Sequence, residues 1–512
     1  MNSGSYQWAR PGDVNAFFGL AVDNFTQLVI LSSILVGGFG FPADIVLFQM
    51  VPGTAFGVMV GNLIYTHLAF RLAKKTGRND VCAMPLGIDT PGLFGVTLGV
   101  IGPLYLETQN AILSWQVGMS VTVIMGITKI IFSFFGHWVR TNVPRAALLG
   151  SIAAVAILLI AFIPSMKIMS NPVVGFISMG IIFLTFLAKY RLPYNLPGAL
   201  LAILLATGVF VILSMAGLSL QDHQAVSSAA FQFSFPYPTL EFMDGFVESL
   251  RYLPIAIPFA ITAVVGGIDC TESAASAGDE YKTRDILLTQ GFATMFSGLC
   301  GGVLQNTPFI GHPAYKRMGG RAAYTLSLGI LIGLGSVFGV IPFFVNLVPE
   351  AALAPILIFI GLEITSQAFQ ANPERHYTAV SLAFIPVIGF LLFLYMNNLM
   401  VQAGISVSDL SPDLQSTYYS SMVLGNGFIL TAMLWSGMLA LLIDMREKVA
   451  SLYMVIAGIM TLFGLIHSTF PDGRLFLPWN SPSPLTYHIC AAYLSLALIF
   501  YIISYIHLGR EE

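Results

Sequence analysis

Two stretches of the sequence decide the fold, MPLGIDTPG at residues 84–92 and QNTPFIGHP at residues 305–313. Each interrupts, with proline, glycine and polar residues, a part of the chain that is expected to cross a membrane. Irregular backbone at bilayer depth is tolerated only where protein buries it or water reaches it, because unpaired N–H and C=O groups are costly in hydrocarbon. Paired breaks in the two halves of a chain are typical of a secondary transporter whose binding site lies near the membrane midplane.

The composition sets the class of protein. Of 512 residues, 56% are hydrophobic and 9% are charged, and apolar runs of about 20 residues recur along the chain. This predicts a polytopic membrane protein and excludes a soluble globular domain. The four cysteines have no CxxC or Cys/His spacing, so we expect no disulfide framework, no metal and no cofactor. The HExxH and GxSxG motifs are also absent from the sequence, and we predict that the chain is not an enzyme.

The apolar segments form two sets of seven and a C-terminal pair. A polar loop separates the two sets, and the two breaks lie in the third and tenth segments. The predicted membrane segments are residues 16–37, 46–70, 81–103, 112–135, 145–163, 172–189, 197–217, 252–277, 285–301, 303–316, 322–346, 350–370, 376–397, 422–443, 449–467 and 485–507.

The basic residues test this count, since Lys and Arg concentrate on the cytoplasmic side of short loops. With the N-terminus inside, 19 of the 22 basic residues, Lys129 among them, fall at cytoplasmic ends, and Lys167, Arg251 and Arg474 fall outside. A miscounted crossing would remove this bias. The short polar N-terminus lacks the order of a cleavable signal, so we expect the first helix to direct insertion. We therefore predict a multi-pass protein of the cell membrane with both termini in the cytoplasm.

The two sets of segments share local sequence. VPRAAL (143–148) opens the fifth segment and VPEAAL (348–353) opens the twelfth, and DNFT (23–26) and DCT (269–271) form a looser second match. Because seven is an odd number, the second set is inverted relative to the first, which is the architecture of alternating-access transporters. The predicted domains are a cytoplasmic N-terminus (1–15), a first repeat (16–217), an extracytoplasmic loop (218–251), a second inverted repeat (252–445) and two appended membrane helices with the C-terminus (446–512).

Acidic residues inside the membrane segments are candidate functional residues, because such groups are costly there and usually face a cavity or each other. Asp269 and Glu272 are three residues apart and share a helix face. They can bind the N–H groups of a polar ligand and carry a proton, because burial and a like-charged neighbour both favour the protonated carboxyl. The alternative is that they only cap or solvate a helix near the cytoplasmic interface. Glu363 is expected to pair within its own segment. The five acids are Asp23, Asp89, Asp269, Glu272 and Glu363.

The two breaks are expected to end in short helices whose N-termini face each other across the midplane. Thr90 followed by Pro91, and Thr307 followed by Pro308, have the order of an N-cap and a first helical residue. Opposed helix N-termini offer free N–H groups and a partial positive charge to an acceptor-rich or anionic ligand.

Other polar and aromatic residues of the breaks are expected to surround the same space. His312 can donate, accept or relay a proton, or it can be buried with its hydrogen bonds satisfied. Gln305 and Asn306 can bind the opposite broken backbone instead of the substrate. Phe309 can stack on a planar ring. The residues expected to surround the site are Asp89, Gln305, Asn306 and His312.

These motifs resemble those of the nucleobase/ascorbate transporter family. GFATMFSG (291–298) and NTPF (306–309) resemble its ninth and tenth segments, and MPLGID (84–89) and DCTES (269–273) resemble motifs of its hypoxanthine/adenine/guanine permease branch. The resemblance implies an all-α polytopic fold of seven plus seven inverted helices, with two broken segments that each combine a short strand and a half helix. It also implies a core domain near residues 16–135 and 252–346 and a gate domain near residues 145–217 and 349–445.

The function that the resemblance implies is uptake of a purine-like nucleobase, such as xanthine, hypoxanthine or guanine, by proton-coupled symport, with Asp269 and Glu272 carrying the proton. The alternative is an anion transporter of the sulfate/bicarbonate type on the same fold. The expected partners are a small-molecule substrate, a proton or sodium ion and the lipid bilayer, without nucleic acid. A second copy of the chain is a further expected partner, and the appended helices would supply the contacts of this homodimer. The predicted substrate-binding residues are Asp23, Asp89, Thr90, Asp269, Glu272, Ser273, Gln305, Asn306, Thr307, Phe309, Gly311 and His312.

Overall fold

The structure, a computed structural model, describes residues 6–135, 143–190, 192–193, 198–218, 232–309, 311–341, 343, 348–471 and 473–506. These residues are mostly helical, and two short strands lie at the two sequence breaks. Parts of the predicted termini and of the predicted loop 218–251 lie outside the described residues.

The helices follow the apolar runs of the sequence. In the first half of the described chain they are α1 (Gly12–Ser32), α2 (Ala43–Ile45), α3 (Val51–Thr76), α4 (Thr90–Val96), α5 (Gly102–Thr108), α6 (Ala111–Phe132), α7 (Arg145–Val155), α8 (Phe162–Ser170), α9 (Pro172–Ile182) and α10 (Gly198–Met215). In the second half they are α11 (Phe246–Ser249), α12 (Leu253–Ser276), α13 (Thr283–Leu299), α14 (His312–Arg317), α15 (Ala323–Val337), α16 (Glu350–Gln370), α17 (Tyr377–Leu382), α18 (Phe384–Ala403), α19 (Pro412–Gly425), α20 (Phe428–Ile443), α21 (Glu447–Leu462) and α22 (Leu485–Ile503).

Local sequence signals mark several helix ends. Helix α6 begins after Asn110, whose side-chain oxygen accepts a hydrogen bond from Leu113 N–H at 3.1 Å. Helix α3 ends at Gly77 in the left-handed conformation, φ 67°, which glycine adopts without a steric penalty. Several membrane segments also contain a π-helical turn that the sequence did not predict. These turns are Ser33–Gly38, Val46–Met50, Thr97–Ile101, Ala156–Ala161 and Phe183–Leu187.

Among the described residues, eight helices are long and apolar enough to cross a membrane. The number is nine if α19 and α20, which meet at an angle of 72°, form one span. The chain is therefore a multi-pass membrane protein. The count is lower than the sixteen predicted segments for two reasons. The third and tenth segments are broken, and several others form helices too short to be counted, at Pro172–Leu187, Leu200–Met215 and Ala323–Val337. The eight spans are Gly12–Gly38, Ala43–Thr76, Ala111–Phe132, Arg145–Ser170, Phe246–Ala275, Glu350–Gln370, Glu374–Ala403 and Leu485–Ile503.

The two breaks meet as a two-stranded antiparallel sheet. Strand β1 (Leu86–Ile88) pairs with β2 (Asn306–Pro308), with Gly87 opposite Thr307. One further hydrogen bond at each end extends the pairing: Asp89 N–H donates to Gln305 O at 2.9 Å, and Phe309 N–H donates to Pro85 O at 2.9 Å. Each broken segment therefore satisfies part of its backbone with the other one, as the cost of unpaired polar groups in a membrane requires.

The chain divides into two compact units. The first comprises the described parts of residues 1–136, 163–249 and 259–359, and the second comprises those of residues 137–162, 250–258 and 360–512. The first unit contains both strands. The division into the predicted core and gate domains, with the bounds given above, stays a prediction.

In the first unit, three helices pack closely behind the sheet. Glycines let α3 approach the segment before β2, and a Cβ on Gly53 would overlap the backbone of Cys300 and Gly302. Glycines also bring α6 and α13 together, since Gly126 lies against the backbone of Met295. Close helix contacts through small residues are typical of membrane proteins.

In the second unit, the two appended helices pack on α20. Leu434 of α20, Met454 and Ala457 of α21, and Tyr493 and Ala497 of α22 belong to one buried cluster. The sequence placed these helices at residues 449–467 and 485–507, close to the observed bounds. On α16, Glu363 is exposed and accepts a hydrogen bond from Gln367 at 3.0 Å, so the predicted pairing within its segment is confirmed.

Candidate functional site

The outer edge of β1 is closed by two buried asparagines. Asn62 on α3 donates to Leu86 O at 3.0 Å and accepts from Leu86 N–H at 3.3 Å. Asn24 on α1 accepts from Ile88 N–H at 3.2 Å. Amide side chains can make both kinds of hydrogen bond, and here they replace the neighbouring strand that β1 lacks.

The outer edge of β2 is closed by a hydroxyl and an ammonium group. Thr294 on α13 accepts from Asn306 N–H at 2.9 Å, and Lys129 on α6 donates to Asn306 O at 2.8 Å. The Lys129 ammonium also lies 3.4 Å from the Thr294 hydroxyl, and Lys129 is fully buried. The sequence analysis grouped Lys129 with the basic residues of the cytoplasmic ends; the structure buries its side chain against the sheet.

The half helix after β1 is capped by Asp89. The Asp89 carboxylate accepts from Gly92 N–H at 2.7 Å, and α4 begins at Thr90. Thr90 was predicted as the N-cap and is instead the first helical residue, since the longer Asp89 side chain already fills the cap position. The Gly92 N–H, one of the helix N-terminal groups that were expected to bind a ligand, is therefore already bonded to Asp89.

The second break differs from its prediction more strongly. Thr307 and Pro308 lie in β2 and do not begin a helix. The following helix, α14, begins at His312 with Gly311 at its N-cap. The predicted N-cap at Thr307 was wrong because strand pairing with Gly87 holds that residue in an extended conformation.

Amide side chains from two elements meet at the start of α4. Gln305 donates to the Asp89 carboxylate at 2.6 Å, and Gln27 of α1 donates to the Thr90 hydroxyl at 2.6 Å. The Oε1 atoms of both glutamines are buried and have no hydrogen-bond partner among the described residues. The same holds for the amide of Asn306. Buried polar atoms are normally hydrogen-bonded to protein or water. The two Oε1 atoms and the Asn306 amide can therefore bind water or a ligand.

The acids of the other elements lie at different degrees of burial. Asp23 of α1 is half-buried, and its carboxylate lies 3.5 Å from the place that a Cβ atom on Gly87 would occupy. Asp269 of α12 is half-buried beside Cys270, whose thiol lies 3.3 Å from Pro308 O. Glu272 is exposed. Asp23 and Asp269 therefore flank opposite strands of the sheet.

The remaining predicted residues lie beside β2 and α12. The hydroxyl of Thr307 donates to Gln290 Oε1 at 3.4 Å, and Phe309 is half-buried with its ring centre 6.2 Å from that of Tyr315. Ser273, one helical turn beyond Asp269, is half-buried.

His312 does not share this space. It is fully buried, and its Nε2 lies 3.1 Å from Cys82 O and 3.4 Å from the Asp279 carboxylate. Lys316 lies 2.7 Å from the same carboxylate and Arg78 lies 3.2 Å from it. Of the two alternatives for His312, the structure agrees with the buried one, since its ring lies against this ionic cluster.

Four residues that close the sheet edges were missed by the sequence predictions. They are Asn24, Asn62, Lys129 and Thr294. A polar or charged residue within an apolar run was the available signal, and the predictions applied it to acids inside the segments and left these residues out.

Comparison with known proteins bears on the kind of transporter. The sequence model of the sulfate permease family matches residues 159–384, less than half of the chain. The chain is similar to sulfate permeases. No curated protein matches it. Among solved structures, the transmembrane domain of the bicarbonate transporter BicA from a cyanobacterium matches with a TM-score of 0.50 and 16% identity, over 83% of this chain and 96% of that one.

Two further structures have the same fold. The overall structure of SLC26A9 matches with a TM-score of 0.54 and 12% identity, over 73% of this chain and 61% of that one. Murine Slc26a9, an anion transporter in the inward-facing state, matches with a TM-score of 0.51 and 11% identity, over 76% of this chain and 68% of that one. At these identities the likeness shows the fold alone.

These findings confirm the fold and correct the family. The chain has the seven-plus-seven inverted-repeat transporter fold with broken helices. The prediction of a nucleobase/ascorbate permease that transports purines was wrong, since the matched family is that of sulfate permeases. The motifs that suggested it are short and rich in glycine, and they fit the close packing and the strand breaks of this fold. The matched family is one of transporters, which agrees with the prediction that the chain is not an enzyme.

Proposed function

We propose that this protein carries a small inorganic anion of the sulfate or bicarbonate class across a membrane. The match of residues 159–384 to the sulfate permease family carries the proposal, because this range contains β2, Asp269 and helices α12, α13 and α14. The fold shared with the transmembrane domain of a bicarbonate transporter supports it.

The candidate anion site lies at the start of α4, directly after β1. Thr90 is half-buried there, and its hydroxyl, which accepts from Gln27, can donate its own proton to a ligand. Helix α4 also points its N-terminus at this place, and the helix continues through a π-helical turn into α5. A helix N-terminus carries a partial positive charge that favours an anion.

The acids beside the site are the main objection to an anion. For Asp89 the objection is weakened by its surroundings, since the carboxylate accepts from Gly92 N–H and from Gln305. The buried Lys129 also places a positive charge on the same stretch of β2, because its ammonium binds the carbonyl oxygen of the residue after Gln305. Hydrogen bonds and an opposite charge reduce the repulsion that Asp89 exerts on a second anion.

The test is ligand-induced stabilisation of the purified protein in detergent. A ligand at 100 times its Kd stabilises the folded state by about 2.7 kcal/mol. We expect sulfate or bicarbonate to raise the unfolding temperature, and xanthine, hypoxanthine and guanine to leave it unchanged. T90V should reduce the anion effect because it removes a hydroxyl from the site, while T108V, at the far end of α5, should not. Stabilisation by a nucleobase without any anion effect would contradict the proposal.

We also propose that the protein resides in the cell membrane with both termini in the cytoplasm, as the basic residues of the loops indicate. We propose further that the chain forms a core domain and a gate domain with the bounds predicted from the sequence. Reaction of single introduced cysteines with an impermeant thiol reagent, in intact cells of a variant that lacks its four own cysteines, tests the orientation.

A further inference from the structure

Lys129 is placed where a lysine is costly. Its side chain is fully buried in α6, and its ammonium contacts one carbonyl oxygen and one hydroxyl, those of Asn306 and Thr294. Taking an ammonium group out of water is unfavourable unless hydrogen bonds and an opposite charge compensate it. Neither contact supplies that charge.

The opposite sheet edge shows that a neutral residue can close a strand. On β1, the backbone groups of Leu86 and Ile88 are satisfied by the amides of Asn62 and Asn24. The carbonyl of Asn306 on β2 needs one donor, which an uncharged amide can supply equally well. The hydrogen bond to Asn306 O therefore explains why a donor lies at this edge, but it does not explain why the donor is the charged ammonium of Lys129.

The opposite charge comes from Asp89. Its carboxylate lies at the start of α4 and accepts from the side chain of Gln305 at 2.6 Å. Gln305 is the residue before Asn306, whose carbonyl oxygen binds the Lys129 ammonium. Because β1 and β2 pair directly, a charge behind β2 acts across the sheet on the end of β1.

We propose that Lys129 is a positioning residue for anion transport, which offsets the charge of Asp89 so that an anion can bind beside it. The inference rests on the proposed function. Without the ammonium, an anion at the start of α4 meets the uncompensated carboxylate. With it, the buried pair is close to neutral and the helix N-terminus and hydroxyl donors act on the anion.

The test uses K129Q, which keeps an N–H donor for Asn306 O and removes the charge. D89N keeps a good N-cap and removes the opposite charge. We expect K129Q to raise the KM for the transported anion about tenfold with a smaller change in kcat, as for a unit charge at a separation on the order of 10 Å in a medium of effective dielectric constant about 20. The double variant K129Q/D89N should recover most of the lost affinity.

A purely structural role predicts the opposite pattern. If Lys129 only closes the strand edge, K129Q transports like the wild type, or its defect is not relieved by D89N; either outcome overturns the inference. K129M, which lacks a donor, measures the structural part separately.

Failure of the proposed function gives a different result. If the wild type moves neither sulfate nor bicarbonate in proteoliposomes, the proposed function fails. The thermal stability of the same variants, measured without substrate, then still tests the charge pair. If anions are transported and the double variant shows no rescue, the charge-offset inference alone fails.

Discussion

Asn62 and Thr294 hold opposite edges of the two-stranded sheet, each from the helix that precedes its own strand. Asn62 accepts from Leu86 N–H at 3.3 Å, and Thr294 accepts from Asn306 N–H at 2.9 Å. Both are fully buried. The two halves of the inverted repeat thus support their broken segments by the same device, with different side chains.

The first prediction concerns this support on β2. T294V keeps the shape of the side chain and removes the hydroxyl, so Asn306 N–H loses its acceptor. A buried unsatisfied donor costs about 1–3 kcal/mol, and we expect a lower unfolding temperature in detergent. T294S, which keeps the hydroxyl, should lose much less. Equal losses for the two variants would show that packing of the methyl group, and not the hydrogen bond, matters.

A second prediction concerns the close approach behind the sheet. In G53A, the new Cβ overlaps the backbone of Cys300 and Gly302, which cannot move independently of β2. We expect a loss of about 3 kcal/mol or more, seen as loss of folded protein in size-exclusion chromatography. The control is G180A on α9, where no heavy atom of the described residues lies within 4 Å of the new Cβ. Normal yield and stability of G53A would contradict the packing described here.

The sequence predicted the breaks well and their surroundings less well. Proline, glycine and polar residues inside an apolar run are a local signal, and they located β1 and β2. The pairing of Gly87 with Thr307 joins residues far apart in the sequence, so no local pattern specifies its register. The cap was misplaced by one residue because Asp89 and Thr90 are both good N-caps.

Burial was the harder quantity to predict. Lys129 lies near the end of its segment, where a lysine normally reaches the membrane surface. Whether it does so depends on how α6 packs on β2. His312 similarly lies in a break, yet its ring contacts Asp279 from a distant loop. Neither contact can be derived from residue spacing.

The third prediction concerns pH. Burial alone raises the pKa of Asp279, but the hydrogen bonds from His312 and Lys316 outweigh it and hold the pKa of this carboxyl below its ordinary value. A lowered pKa in the folded state stabilises the protein above the unfolded-state pKa, and this stabilisation is lost as the pH falls toward the lowered value.

We therefore expect the wild type to lose stability from about pH 5 downward, and D279N to be less stable at pH 7 but less sensitive to acid. The measurement is the unfolding temperature between neutral and acidic pH. The control is D413N, an exposed aspartate of α19, which should follow the wild type. An unchanged pH profile for D279N would exclude this ionic cluster as a source of acid sensitivity.

The fourth prediction concerns the appended helices. Trp435 donates to the Tyr493 hydroxyl at 2.7 Å, and that hydroxyl lies 2.7 Å from His467 Nε2. Because the indole N–H is a donor only, the hydroxyl gives its own proton to His467, whose Nδ1 then donates to Val423 O at 3.0 Å. This chain of hydrogen bonds ties α20, α22 and the segment after α21 together.

Y493F leaves the half-buried indole N–H of Trp435 and the buried Nε2 of His467 without their partner. We expect a loss of about 1–3 kcal/mol together with faster proteolysis near the C-terminal end. Y487F removes a hydroxyl that donates to Pro478 O at 2.7 Å on an exposed residue, and it should have little effect. Similar proteolysis of the two variants would contradict the role of the buried chain.

The most direct test of the central claim is uptake by proteoliposomes that contain the purified protein. Radiolabelled sulfate, bicarbonate and hypoxanthine are supplied separately, and empty liposomes give the background. We expect uptake of at least one of the two anions, with no competition from excess unlabelled hypoxanthine. Uptake of hypoxanthine without uptake of either anion would contradict it.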